Sequence, residues 1–270
     1  AAIIARIKAD GRYSEMKMPN LKADFFETTY LGFSYIVPET DNKTEIDSGF
    51  ARLFRNINYY GKRLSALESR RSLYFLDERY KKYFDGISSQ GDVLCDIKMI
   101  DNYKLTTIDL VRYLSALSQY VPYNNIRNVM KWYSAYASRE SFYSDYVSYI
   151  TGLEQEAIPE KFNEFKMSEV FPNDEWSTRY DNLYKAITRI KGDMDLVDGK
   201  AFSSWINADF WFFGLIYHIV FKGEELKDNI DGLKEALQIA IEKAHAAYGK
   251  SPNRLGNLRD RLEKSINIFS

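Results

Sequence analysis

Residues 54–70 read FRNINYYGKRLSALESR and predict the end of one helix, a turn and the start of a second helix. Before the turn, apolar residues recur at three- and four-residue spacing along one helix face, at Ile46, Phe50, Leu53, Phe54 and Ile57. Asn58 and Gly61 supply the turn, because glycine adopts the positive φ that commonly ends a helix. Ser65 and Glu68 have the spacing of a capping box, in which each side chain accepts a hydrogen bond from the other residue's amide. The stretch therefore predicts two helices joined by a rigid corner.

The pattern F-x-x-I-N-x-x-G-x-x-L-S-x-x-E-x-R in this stretch resembles a motif of the GmrSD-type restriction endonuclease N-terminal domain family. That bacterial family is best known for an Asp-Gly-Gln-Gln-Arg motif. Residues 33–39 look like the strand that precedes this helix in the family, and residues 2–7 look like the helix that follows the Asp-Gly-Gln-Gln-Arg loop. The resemblance covers about residues 1–80 and is most specific over 54–70.

The resemblance implies a piece of a DNA-directed defence protein. In the family, the Asp-Gly-Gln-Gln-Arg stretch belongs to a ParB-like fold tied to nucleotide hydrolysis, and an HNH nuclease module often follows. This sequence contains neither, since its two histidines, His218 and His245, lack an Asp-His-Ile-x-Pro context. A nucleotide and a divalent metal are implied as cofactors of the intact family member. We expect a longer parent chain that continues upstream of Ala1, with a mass well above 31.6 kDa.

The fold is expected to be mainly α, with a small α/β remnant at the N-terminus followed by a multi-helix domain. The segment 77–84 is expected to extend the second helix of the corner, and Gly86–Asp92 marks a boundary by its turn-forming composition. Residues 1–85 would be the C-terminal part of a ParB-like module with its helix-turn-helix corner, and 86–270 an all-helical domain. Apolar spacing predicts the helices 105–121, 125–137, 140–153, about 174–191, 202–221, 224–247 and 254–268.

The composition limits the partners and the cellular compartment that we expect for the protein. The net charge is −1, so bulk charge implies neither a nucleic-acid nor a membrane partner. The single cysteine, Cys95, excludes an internal disulfide framework and fits a reducing cytoplasm. The most apolar segment, 210–221, is too short and too interrupted to span a bilayer. We therefore expect a cytoplasmic protein without a membrane partner.

Basic residues concentrate around the corner, with nine Lys or Arg against three Asp or Glu between Arg52 and Lys82. Such a cluster is either a phosphate footprint or a solvated face that balances the acidic stretch 154–175. An arginine guanidinium can donate two hydrogen bonds to phosphate oxygens. The resemblance implies that part of the corner faces the absent Asp-Gly-Gln-Gln-Arg loop. The candidate nucleotide- or DNA-binding residues are Asn58, Glu68, Arg70, Arg55, Arg63 and Arg71.

For the other candidate sites we favour a purely structural explanation over a functional one. The loop 86–92 lacks the lysine of a phosphate-binding loop, since Asp92 stands in its place. The carboxylates of 193–198 do not match a calcium loop, and His218 is expected to be a satisfied core histidine. Aromatic residues of the middle helices fit a helical core better than a base-stacking surface; they are Trp132, Tyr133, Tyr136, Phe142, Tyr143, Tyr146 and Tyr149. No metal site is predicted.

Three functions remain open. The leading hypothesis is a fragment of a modification-dependent restriction protein that contributes helical scaffold and nucleotide or DNA contacts without a complete catalytic site. The alternative is a non-catalytic helical module that binds DNA or protein. A stand-alone enzyme is the third, and a deep pocket lined by titratable residues outside 54–71 would favour it. The partners to be tested are DNA, a missing N-terminal segment and a partner chain.

Overall fold

A computed structural model of the chain describes most of its second half and part of its first. The described residues are 37–43, 45–50, 53, 65–75, 77–101, 103–135, 139–152, 161–171, 175–194, 196 and 201–270. The chain divides into two compact units, 1–41 and 42–270, and every element named below belongs to the second. The helix and strand predicted before residue 37 lie outside the described residues.

The second unit is mainly helical, as predicted. Its labelled elements are α1 (Ala66–Arg71), α2 (Glu78–Asp85), β1 (Ile87–Ser88), β2 (Gly91–Asp92), β3 (Lys98–Asp101), β4 (Lys104–Thr107), α3 (Leu110–Tyr120), α4 (Arg139–Thr151), α5 (Met167–Val170), α6 (Trp176–Ile190), α7 (Trp205–Ile216), α8 (Ile230–Tyr248) and α9 (Leu255–Phe269). Residues 45–50 are helical too, which agrees with the predicted first helix of the corner. The turn at Asn58 and Gly61 falls outside the described residues.

The capping box at the start of α1 is confirmed. The Ser65 amide donates to Glu68 Oε2 at 2.8 Å, and the Glu68 amide donates to Ser65 Oγ at 3.3 Å. The expectation that residues 77–84 extend this helix is wrong. Asp77 caps a new helix instead, because its carboxylate accepts from the amides of Arg79 and Tyr80.

Residues 86–107 form two hairpins where the sequence predicted a loop and the start of a helix. Gly86 ends α2 with a φ of 67°, and β1 pairs antiparallel with β2. β3 pairs antiparallel with β4, with Ile100 opposite Leu105. The Ile100 amide donates to the Phe202 carbonyl at 2.8 Å, and the Phe202 amide donates to the Lys98 carbonyl at 2.9 Å. The helical prediction failed here because backbone bonds to a residue about a hundred positions away fix these strands.

Two further helix boundaries differ from the prediction. The segment 125–137 holds only short 3₁₀ turns, Ile126–Asn128 and Tyr133–Ala135, among its described residues. Met130 between them has a φ of 49°, which an α-helix does not accommodate. The long helix α8 begins at Ile230 rather than at 224, because the Asn229 side chain accepts from the Gly232 amide and caps it there.

The core is built around α7, the predicted central buried helix. Nearly all of its residues are buried, and α9 packs closely against it at Gly214. A Cβ at Gly214 would lie 2.3 Å from the Ser265 carbonyl oxygen, so only glycine allows this approach. The Ser265 hydroxyl donates to the Phe210 carbonyl at 2.7 Å and accepts from the Gly214 amide at 2.8 Å. One serine thereby links two helices at their closest point.

Beyond α7 the helix widens into a π-helical turn, Tyr217–Phe221. The Arg179 guanidinium, from α6, donates to the carbonyls of Val220 and Phe221 at 2.8 and 3.2 Å. These carbonyls are thereby satisfied by a side chain.

The domain boundary predicted between residues 85 and 86 falls inside this unit. Tyr83 of α2 stacks on Tyr180 of α6 with ring centroids 6.1 Å apart, and the Tyr180 hydroxyl donates to the Tyr83 carbonyl at 2.8 Å. Buried residues on both sides of the predicted boundary belong to one core.

Candidate functional site

Arg70, on α1, is held by two carboxylates that each lie at the start of another helix. Its side chain is 0% exposed, and its guanidinium donates to Asp109, the N-cap of α3, and to Glu140, in the first turn of α4. Burial alone would lower the pKa of this guanidinium, but the two carboxylates outweigh burial and raise it. Burial raises the pKa of Glu140. The charge of Arg70 lowers this pKa and the charge of Asp109 raises it, and the net shift is upward. Arg70 thus fastens the corner to the rest of the unit.

A second buried ion group joins α3, α7 and α9. Arg112 donates to Asp209 through Nε at 2.9 Å and Nη2 at 2.6 Å, and Arg261 Nε donates to Asp209 Oδ2 at 2.6 Å. Burial alone would raise the pKa of Asp209, but the two guanidiniums outweigh it and hold that pKa below its usual value. Two arginines on one aspartate leave this group with an excess of positive charge.

Both ion groups border a cavity of about 540 Å³. Among the described residues, its basic lining side chains are Arg71, Arg112 and Arg139. Its acidic lining side chains are Asp85, Asp92, Asp101, Asp109 and Glu140. The starts of α3, α4 and α7 meet here, since Asp109, Arg139 and Trp205 all line it. The cavity is therefore a charged chamber at converging helix N-termini, which carry partial positive charge.

The aromatic wall of the cavity is formed by Trp205 and Tyr143. The guanidinium carbon of Arg112 lies 4.1 Å from the centroid of the Trp205 ring, and that of Arg139 lies 5.9 Å from it. In the described part of the chain, the buried Trp205 indole nitrogen has no hydrogen-bond partner, whereas the buried Tyr143 hydroxyl lies close to Arg112 and Tyr133. Both polar atoms are enclosed by protein, so the wall contributes mainly apolar ring surface to the cavity.

The structure places only some of the predicted site residues in this cavity. Arg71 lines it, and its Nε donates to Asp85 Oδ1 at 3.1 Å. Burial would lower the pKa of Arg71, but Asp85 outweighs that effect and raises it. Glu68 belongs to the capping box. Arg70 is enclosed by its ion pairs, so its guanidinium is not exposed to an outside ligand. Three candidates, Asn58, Arg55 and Arg63, lie outside the described residues.

Several residues of this site were missed from the sequence. Asp109, Arg112, Glu140, Arg139 and Trp205 come from separate segments, and nothing in their local pattern indicates that they meet. Asp209 did carry a signal, because this carboxylate directly precedes the most apolar segment of the chain, 210–221. A buried charge requires a partner of opposite sign, so a buried cationic partner could have been inferred from that position.

One of the favoured interpretations is confirmed and another holds for part of its residues. His218 is satisfied, since its Nδ1 lies 2.6 Å from Glu224 Oε2 and its Nε2 lies 3.0 Å from the Ile266 carbonyl oxygen. Of the seven aromatic residues, Phe142, Tyr143 and Tyr146 are buried in the core and Tyr133 and Tyr149 are half-buried, but Trp132 is 42% exposed, and Tyr136 lies outside the described residues.

Two absences concern only the described residues. No cluster of three or more His, Cys, Asp or Glu in them is placed to hold a metal ion. Likewise, no helix among them has both the length and the apolar character needed to cross a membrane.

No family model, curated protein or solved structure matches this chain. The family resemblance of residues 54–70 therefore stays a prediction.

Proposed function

We propose that this chain is part of a bacterial DNA-directed defence protein of the modification-dependent restriction type. In this proposal it supplies helical scaffold and nucleotide or DNA contacts without a complete catalytic site. One observation supports the proposal: the end of the stretch that resembles the family motif lines the charged cavity through Ser65 and Leu67, and Arg71, the next residue after that stretch, lines it too. The motif residues thus lie beside grouped titratable side chains.

Arg71 is the side chain best suited to contact a phosphate. Its side chain is 47% exposed and lines the cavity. In the ion pair with Asp85, only the Nε atom of Arg71 is engaged. A guanidinium in this position has donors for a phosphate oxygen. Arg70 acts differently, as a positioning residue, because its two ion pairs hold α1 against the starts of α3 and α4.

The test uses the intact parent protein. Arg71→Ala should lower nucleotide hydrolysis and restriction of modified DNA by about tenfold or more, the loss expected for one hydrogen bond to a charged group. Arg79→Ala is the matched control, because Arg79 lies on α2, is exposed and does not line the cavity. Unchanged hydrolysis and restriction in the Arg71→Ala protein would contradict the proposal. An Asp-Gly-x-Gln-Arg sequence encoded upstream of Ala1 would support it.

A second candidate is a non-catalytic module that binds DNA, and the β3–β4 hairpin favours it. Ile100 and Leu105 form an exposed cross-strand pair, and Tyr103 at the tip is fully exposed beside Lys104. An exposed aromatic ring next to a lysine is typical of surfaces that stack unpaired bases.

A gel-shift titration with single-stranded DNA at two salt concentrations tests this candidate. Binding should weaken with salt, and Tyr103→Ala should weaken it further. Tyr123→Ala, which removes an exposed tyrosine from the turn after α3, serves as the control. Absence of binding at low salt would count against the module.

A further inference from the structure

The ion pairs around the cavity neutralise only part of its charge. Arg70 satisfies Asp109 and Glu140, and Arg71 satisfies Asp85. The charges that remain fall into two sets, one on the helices and one on the hairpins.

The positive set belongs to the helices. Arg139, the first residue of α4, forms no ion pair within the described part of the chain, although it lines the cavity. Arg112 lines it too, as the outermost member of the group that shares Asp209 with Arg261.

The negative set belongs to the hairpins. Asp92 lies on β2 and Asp101 on β3, and both line the cavity. Neither forms an ion pair within the described residues, although Asp92 accepts from the Leu94 amide at 2.7 Å. The hairpin side of the cavity therefore carries two carboxylates without an ion-pair partner among the described residues.

From these two sets we propose that the cavity binds a small zwitterion of the free amino acid class. Its carboxylate faces Arg139 and the aromatic wall, and its ammonium group faces Asp92 and Asp101. A simple anion would leave both hairpin carboxylates unpaired, and a simple cation would meet the unpaired guanidinium. The volume of about 540 Å³ lies within the range of small-molecule sites. This inference does not depend on the proposed restriction function.

The test is a thermal-shift screen of the full chain against the twenty proteinogenic L-amino acids, one at a time, followed by calorimetric titration of those that raise Tm. Each amino acid that binds is then compared with its amine lacking the carboxylate and with its acid lacking the amino group. We expect at least one amino acid to bind, and both analogues to bind about tenfold or more weakly, the loss expected for one charged hydrogen bond.

Variants assign the two ends of the site. Arg139→Ala and Asp101→Asn should each weaken binding by about tenfold or more, whereas Arg127→Ala and Asp96→Asn, at exposed positions outside the cavity, should not. Arg139→Lys keeps the charge and should retain measurable binding, which distinguishes loss of the contact from loss of the fold. The proposal is overturned if no amino acid raises Tm, if either analogue binds as tightly as the amino acid, or if Arg139→Ala and Asp101→Asn bind like the unaltered chain.

Discussion

Arg112 and Asp209 lie 97 positions apart in the chain and form a two-pronged ion pair in its interior. Both prongs are shorter than 3 Å, at 2.9 and 2.6 Å, and Arg261 adds a third bond to the same carboxylate. The Asp209 side chain is 0% exposed, so water does not share in satisfying it. The start of α3, the middle of α7 and α9 are therefore bound together by one carboxylate.

Asp209→Asn should destabilise the protein by about 3–5 kcal/mol, because two buried guanidiniums lose their counter-charge. Urea unfolding followed by circular dichroism measures this change. Asp260→Asn removes a partly exposed carboxylate that pairs with Lys264 one helical turn away, and should cost less than about 1 kcal/mol. A loss below about 1 kcal/mol in Asp209→Asn would mean that the ion group contributes little.

Arg70→Ala should cost about 3–5 kcal/mol, because it strips the partner from Asp109 and Glu140 at once. The same urea titration gives the value. Arg79→Ala, nine positions along, removes an exposed arginine, so its unfolding midpoint should stay close to that of the unaltered chain. Equal midpoints for the two variants would show that the corner is not anchored through Arg70.

Two glycine-to-alanine changes should have opposite signs. Gly214→Ala places a methyl group 2.3 Å from the Ser265 carbonyl oxygen and should destabilise the protein by about 2 kcal/mol or more. Gly256→Ala, in α9, meets nothing within 4 Å and should stabilise it by about 0.5–1 kcal/mol. Thermal unfolding compares them, and a higher Tm in Gly214→Ala would disprove the tight contact between α7 and α9.

The helices were the predictable part of this fold. The cap at Ser65 and the apolar spacing of α4, α7 and α9 are local signals, and each element forms where those signals lie. The hairpins were not predictable, because strands of two to four residues carry too little pattern to outweigh a helical reading. The position of β3 depends instead on backbone hydrogen bonds to Phe202, and a contact so distant in the chain cannot be predicted from local sequence.

The cavity was the unpredictable part of the site. Arg70 was predicted to contact nucleotide or DNA, and the structure instead places its guanidinium in two ion pairs. The partners, Asp109 and Glu140, lie 39 and 70 positions away. Only the meeting of helix starts in three dimensions brings these side chains together, and the sequence contains no motif for it.

Stability should fall steeply in alkali because of buried tyrosines. Burial raises the pKa of the Tyr83, Tyr113 and Tyr180 phenols well above their usual value of 10.0. Above pH 10 the unfolded chain therefore loses these protons while the folded chain keeps them. The folded state then binds more protons, and the free energy of unfolding drops by about 1.4 kcal/mol per pH unit for each such tyrosine.

Tyr83→Phe isolates one of these phenols. Its hydroxyl is buried close to that of Tyr146, so the change should cost about 1 kcal/mol or less at pH 7. Urea unfolding between pH 9 and 11 should then show a shallower decline than the unaltered chain. Parallel declines in the two proteins would rule out a contribution from this phenol.

The wide turn at Tyr217–Phe221 has a consequence for how the chain tolerates change in length. A π-helical turn holds one residue more than the regular ladder needs. Removing a single residue there would let the ladder close with ordinary spacing and would contract the turn. The carbonyls of Val220 and Phe221 would then be displaced from Arg179, and His218 from Glu224. A deletion at this point should therefore be less acceptable than a substitution, because the widened turn places these carbonyls within reach of Arg179.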